Sequence, residues 1–481
     1  MKKTIGACLF SAILAAQATA QIGERPALET HLDQADIESG VVTIQDCFDQ
    51  GRVIFNARFN VLDGQGRPAT RGNGQQRNPD EPDFTRVSSP EANSCAGCHN
   101  QPSAGGGGDF VANVFVGAEG LDPVTESVSS LISNERNTLG MFGAGPLEML
   151  AREMTTELHA IRDAAIAEAQ SSGSPVTSAL TAKGVSFGSL TAMPDGRIDP
   201  TNIEGVDWDL IIKPFHQKGA LVSLRQFTNN AMNRHHGMQS VERFGLGTDL
   251  DGDGFTNEIT IGDITAASLF QAALGTPTIV IPDDPAREAA GRRGKGLFNA
   301  IGCNTCHIPS MILDDRNFTE PGPFNPPGNL TPEQVSQLAS FDMTVEGFEP
   351  RLRPVSGGRA RIFAYTDLKR HNLNDAELDH FANEQVSQGN LLGFASADEF
   401  TIGSQPRPTE EFLTRKLWDA GNSGPYGHRG DLTTLTEAIF FHGGEARDSR
   451  DAFFGLSQDD QDAIVEFLKA MQALPDTTGG V

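Results

Sequence analysis

The sequence predicts a mainly α protein: two small helical units, an inserted helical segment with short strands, and many long loops. Three observations predict it. "NSCAGCHNQP" at 93–102 returns in outline as "IGCNTCHIPS" at 301–310, each with two cysteines three apart and a histidine directly after the second. Helical periodicity flanks the second copy on both sides. Fifty-two glycines and 27 prolines call for long irregular connections rather than a lean bundle.

The N-terminus, "MKKTIGACLFSAILAAQATA", joins a lysine pair to an apolar run and a small-x-small ending at Ala18-Thr19-Ala20. Residues 1–20 read as a secretory signal peptide, which places the mature chain in the periplasm or outside the cell. No later stretch approaches the ~20 apolar residues of a membrane span. The net charge of −26 becomes −28 once Lys2 and Lys3 are removed, by subtraction of two positive charges. Such a surface disfavours nucleic acid and anionic lipid; it either favours a cationic partner or keeps an exported chain soluble.

Of six cysteines, Cys8 leaves with the signal peptide. Cys47 reads as a buried, inert thiol, and the other four form the two Cys-x-x-Cys-His units. A zinc ribbon would set its knuckles about 15–20 residues apart and would need no adjacent histidine. Cys-x-x-Cys-His is instead the attachment sequence of c-type haem. Two thiols bind the vinyl groups and the histidine reaches the iron. The sequence therefore predicts two covalent haems, at Cys95, Cys98, His99 and at Cys303, Cys306, His307.

The elements follow in order. Residues 21–146 form the first cytochrome c-like domain, opened by a helix in "QGRVIFNARFNVLDGQG". Residues 147–285 form the intervening segment. "LEMLAREMTTELHAIRDAAIAEAQ" is a long helix there, and "SLTAMPDGRIDPTNIEGVDWDLIIKPF" reads as short strands with turns at Pro194-Asp195-Gly196 and Gly205. "GALVSLRQFTNNAMNRHHGM" and "GDITAASLFQAAL" are helices, the latter with Asp263 as N-cap, and Pro277 to Pro285 is a linker. Residues 286–481 form the second cytochrome c-like domain. "GRRGKGLFNAIGCNTCH" runs a helix into the haem loop. "LSQDDQDAIVEFLKAMQAL" is capped by Ser457, with Ile464, Phe467, Leu468 and Met471 on one face. Within the intervening segment, "GTDLDGDGFTNE" alternates Asp249, Asp251 and Asp253 before Glu258. It is either a calcium loop or an unliganded acidic turn, since its twelfth position is Thr260 rather than glutamate.

A haem with two protein ligands passes electrons, whereas one with an open face binds a small oxidant. After His99 nothing local closes the first haem, and the glycine run that follows lets backbone approach a flat cofactor. After His307 the candidates are Met311, Met343, His371, His380, His428 and His442. Other lone histidines (His31, His159, His216) read as surface or packing residues.

From about residue 40 to 475 the chain resembles the bacterial di-haem c-type oxidoreductases, relatives of di-haem cytochrome c peroxidases and MauG-type enzymes. The likeness is carried by "SSPEANSCAGCHNQPSAGGGG", "SLRQFTNNAMNRHHGMQSVERFG", "AYTDLKRHNL" and "GNSGPYGHRGDLTTLTEAI". It implies that His371 is the sixth ligand of the second haem, with Met343 in reserve. It implies an open first haem at which hydrogen peroxide reacts, fed by electrons through a low-spin second haem from a small cytochrome or cupredoxin. An acid/base is then needed near the open iron. Glu148 is the first candidate, and His235 and His236, beside Arg234, the second; the two adjacent histidines are not expected to face one pocket. Trp208, Trp418, Tyr365 and Tyr426 are candidate relays or core. The run Arg351, Arg353, Arg359 and Arg361 binds haem propionates or solvent. The rival readings are a di-haem oxygenase acting on an apolar substrate and a non-enzymatic electron carrier.

Overall fold

A computed structural model describes residues 24–65, 92–109, 111–112, 136–249, 253–374, 401–402, 405–406 and 411–474. The signal-peptide stretch, Asp251 and His380 lie outside the described residues. The helices are α1 Gln34–Glu38, α2 Ile44–Asn56, α3 Cys95–Cys98, α4 Ala144–Ser172, α5 Leu224–His236, α6 Val241–Phe244, α7 Ile261–Ala273, α8 Pro285–Ala300, α9 Leu435–Phe440, α10 Arg447–Phe454 and α11 Gln458–Lys469. They hold roughly a third of the described residues, and sixteen short strands form seven small sheets. The expected mainly α fold is thus corrected to a mixed one. Gly- and Pro-rich stretches that read as loops close into short antiparallel ladders, such as Asn317–Glu320 with Ala339–Asp342.

Two helix crossings organise the molecule. In the C-terminal half α8 crosses α11, as the periodicity predicts. Gly294 makes the approach possible: a Cβ there would sit 1.8 Å from the Ala463 carbonyl oxygen. In the N-terminal half α2 crosses α7, and a Cβ on Gly51 would meet the Ala266 carbonyl oxygen at 2.2 Å. The partner helix of the first unit therefore comes from the segment read as intervening, so position 147 does not divide two packing units. In each crossing a phenylalanine lies four residues after the glycine. The Phe55 ring sits 6.4 Å from His99 and the Phe298 ring 6.3 Å from His307.

Caps fix where these helices begin. Thr43 and Asp46 make a reciprocal capping box on α2, Asp284 with Pro285 starts α8, and Ser457 caps α11. On α7 the cap is Thr260, not Asp263. Asp263, the third residue of the helix, is the box's first-turn partner and also accepts from Leu32 N and His31 Nδ1. The long helix α4 packs on the hairpin Val176–Ala182/Val185–Ala192. The expected linker is instead a clamp, because Thr278–Ile279 pairs with Met471–Gln472.

Candidate functional site

Each Cys-x-x-Cys-His unit lines its own cavity. The first cavity, about 220 Å³, contains Cys95, Cys98 and His99; the second, about 300 Å³, contains Cys303, Cys306 and His307. Ser94 caps the short helix α3, accepting from Gly97 N at 2.9 Å, and His99 follows at its C-terminal end. The second motif turns through the 3₁₀ segment Cys303–Thr305. None of the five described cysteines is in a disulfide, and with the two motifs in separate cavities a shared Cys₄ zinc site is ruled out.

The two motif histidines are prepared alike. His99 Nδ1 lies 3.3 Å from Gly106 O, and His307 Nδ1 lies 3.1 Å from Tyr365 O. A carbonyl only accepts, so the proton is on Nδ1 and the lone pair on Nε2. Burial pushes each ring down to about 4. A neutral imidazole held through Nδ1 is the form that binds a metal.

Across the second cavity the His442 ring stands 6.3 Å from that of His307. Its Nδ1 donates to Ala438 O at 2.7 Å, and burial lowers its pKa, which again leaves Nε2 with a lone pair. That separation accommodates one metal ion between two imidazoles bonded at ~2 Å each. His371, the expected ligand, is otherwise engaged here. It lines the same cavity, but its Nε2 is 2.8 Å from Asp367 and its Nδ1 2.7 Å from Glu445. Burial would lower its pKa; the hydrogen bonds from Asp367, Cys306 and Glu445 outweigh that and raise it to about 11. As an imidazolium it has no lone pair to give. Cys306, Asp367 and His371 bring donor atoms within 4.8 Å of one another, but the charge on His371 makes this an ion-paired cluster. Met343 is buried in the core and does not line the cavity, so the reserve ligand is corrected.

The first cavity is walled by Met141, His216, Gln217, Met232, His235 and His236, among others. Both adjacent histidines face it, contrary to expectation. His236 is committed: Nδ1 donates to Ala92 O at 2.7 Å and Nε2 lies 3.3 Å from Cys95 Sγ. His235 is near enough for its charge to act, after burial, in holding the His99 pKa down. Glu148 is corrected. It is fully buried but turned from the cavity, ion-paired to Arg152 and accepting from Leu224 N at 2.8 Å. Its helix start seats Leu147, not Glu148, on the cavity wall. Of the glycines after His99, Gly108 packs on the motif's own backbone, where a Cβ would meet Cys98 O at 2.1 Å.

Other expected residues stand elsewhere. Glu258 points inward, taking Gln239 N at 2.7 Å and Gln239 Nε2 at 3.1 Å, while Asp249 and Asp253 accept from loop amides. The described part of the calcium-like loop thus spends its carboxylates on protein donors. Trp208 is exposed, Trp418 is buried against Gly143, and neither lines either of these two cavities. Tyr426 does line the second cavity, donating to Ala420 O at 2.8 Å. The run Arg351, Arg353, Arg359 and Arg361 lies outside both cavities. Cys47 is fully buried, and burial raises it to about 12, in keeping with an inert thiol. His159 is a packing residue on Asp209 O at 2.8 Å.

The cationic residues that sequence reasoning missed sit in the cavities themselves. In a chain with 63 acidic and 37 basic residues, the described lining of the first cavity has Arg136, Arg415 and Lys416 and no carboxylate. The second has Arg415, Lys416, Arg429 and Arg450, against Asp431 and Glu445. Cavities with apolar walls, a neutral histidine, a cysteine pair and excess positive charge fit an iron tetrapyrrole carrying carboxylates. The repeated Gly-x-x-x-Phe step, Gly51 to Phe55 and Gly294 to Phe298, was the sequence signal for both units.

Comparison with known proteins agrees. Residues 403–471, which hold His428, His442 and α9 to α11, match the family described as "Di-haem oxidoreductase, putative peroxidase". A cytochrome-c peroxidase of Denitromonas iodatirespirans is 28% identical over 109 residues, covering 22% of this chain. The match spans 29% of that relative's length. A hydrazine synthase structure from Kuenenia stuttgartiensis aligns over 98% of this chain and 99% of its own, at 14% identity and a TM-score of 0.33. A MauG-like protein associated with microbial copper homeostasis aligns over 60% and 77%, at 15% identity and a TM-score of 0.26. Scores this low carry no fold assignment. No described helix is long and apolar enough to cross a membrane.

Proposed function

The chain resembles the di-haem oxidoreductases, a family that implies haem cofactors, and from that premise we propose a peroxidase-type oxidoreductase with two covalent c-type haems. Cys95, Cys98 and His99 would hold the first. Cys303, Cys306, His307 and His442 would hold the second. The observation that carries this is the facing pair of neutral imidazoles, His307 and His442, 6.3 Å apart. A bis-histidine centre transfers electrons and binds no substrate, so the small-molecule chemistry falls to the first cavity.

There the cofactor supplies the redox chemistry on hydrogen peroxide. The protein's part is proton handling. His235 at the cavity wall holds and returns the proton that must move between the two oxygens of peroxide. His236 stays fixed beside Cys95 and orients the attachment face. We place the enzyme in the periplasm, behind the signal peptide, and its acidic surface favours a small basic electron-donor protein. The apolar-oxygenase reading gains nothing, because the first cavity is the smaller of the two and the cofactor itself would fill it. The carrier reading keeps one observation, since Met232 and His235 both line the first cavity and either side chain would close that centre if it bound the iron.

Haem attachment is tested by the mass and pyridine haemochrome of the exported protein, with two haems per chain expected. For the chemistry, stopped-flow mixing with peroxide should show His235→Gln reacting about 10²-fold or more slowly than the parent. Equal rates would remove His235 from the reaction. Two haems and no reaction in the parent would leave the carrier.

A further inference from the structure

The two cavities share a wall. Asn137, Leu139, Gln217, His428 and the segment 413–416 line both. Within that wall sits a group of charges, two of them buried. Lys416 is 6% and Asp419 2% exposed, and the two are ion-paired through Nζ and Oδ2. Arg415 Nη2 lies 3.6 Å from the same oxygen. One carboxylate therefore faces two cations, leaving a net positive charge between the cavities. Burial pushes Lys416 down to about 8, against the pull of Asp419 and with Arg415 acting the same way as burial. The buried Lys416–Asp419 pair is balanced, and the excess positive charge rests on Arg415, whose side chain is 32% exposed, so the wall offers a cation to an anion arriving in either cavity. Arg415 also reaches both motif histidines: its carbonyl lies beside His307, and its charge is felt at His99.

We propose that Lys416 and Arg415, held together by Asp419, form one cationic anchor shared by the two cavities, taking a tetrapyrrole carboxylate from each side and coupling the potentials of the two centres. This rests on the two-haem reading. Lys416 and Arg415 are positioning residues, because they touch the cofactor's edge and not the reacting atoms. A nearby cation disfavours the ferric state relative to the ferrous one, so each haem is held at a higher potential than it would have without the anchor.

The test is a spectroelectrochemical titration of the holo-protein, with haem content measured first. Lys416→Gln should shift both midpoint potentials to more negative values, and Lys416→Arg should restore both. Arg450→Gln, in the second cavity alone, should move the second haem only. If Lys416→Gln fails to fold, Arg415→Gln serves in its place with the same paired shift expected. A shift confined to one haem, or none in either, overturns the shared anchor while leaving the two-haem reading intact. A parent protein with fewer than two haems would instead fail the underlying reading.

Discussion

Two histidines in the second cavity differ in what surrounds their ring nitrogens, and that decides their roles. His371 is pinned between Asp367 and Glu445 as a cation, while His442 rests on one backbone carbonyl and stays neutral. His442→Ala should convert the second haem's ferric spectrum from low-spin to high-spin, and His371→Gln should leave it low-spin. The opposite pattern in visible or magnetic circular dichroism spectra would reinstate His371. The sequence could not separate them: both are single histidines after the second motif, and although Asp367 stands four residues before His371, only the fold brings Glu445 to the other side of that ring. A second residue-scale case is His31. Its Nδ1 meets Asp263 at 2.6 Å, and that bond, opposed by burial, raises its pKa above 6.5. A pKa raised on folding adds stability that is complete below the unfolded value and is lost as pH rises through the folded one. His31→Gln should therefore lower Tm most below pH 6.5, with the deficit shrinking as the solution becomes alkaline. A deficit that grows with pH would contradict this.

The glycine-mediated crossings set the geometry at the scale of elements. Gly294→Ala would gain about 1 kcal/mol in helix propensity. A methyl group directed at the Ala463 carbonyl oxygen, 1.8 Å away, forces α8 and α11 apart at about 1–3 kcal/mol. The clash wins, so the variant should unfold at a lower temperature than the parent; an unchanged or raised Tm would show that the crossing has slack. Much at this scale was legible. The periodic helices α4, α5, α8 and α11 overlap their patterns, the last three behind side-chain caps. The crossing partner of α2 was not legible, because α7 lies more than two hundred residues along the chain and its nearly all-apolar sequence shows no preferred face. Glu148 misled for a related reason. Its place at a helix start beside an apolar residue is visible in the sequence, and its counter-ion Arg152 lies one turn along the same helix, but the surrounding Arg225–Glu320–Glu242 ion pairs, among which it is buried away from the cavity, come from distant segments.

At the scale of the whole molecule, the motifs announced two cofactor sites, and the fold sets them back to back across one wall. A chain with strong net negative charge has placed positive charge in that wall and in the cavity linings, where an anionic cofactor would lie. The proposed division of labour uses that arrangement: a second centre that His307 and His442 would close to pass electrons, and a first centre that would be left for a small oxidant. The most direct measurement is electron paramagnetic resonance of the ferric holo-protein before and after stoichiometric hydrogen peroxide. The account predicts one low-spin and one high-spin signal at rest, with the high-spin signal lost on adding peroxide. Two low-spin signals, both indifferent to peroxide, would contradict it.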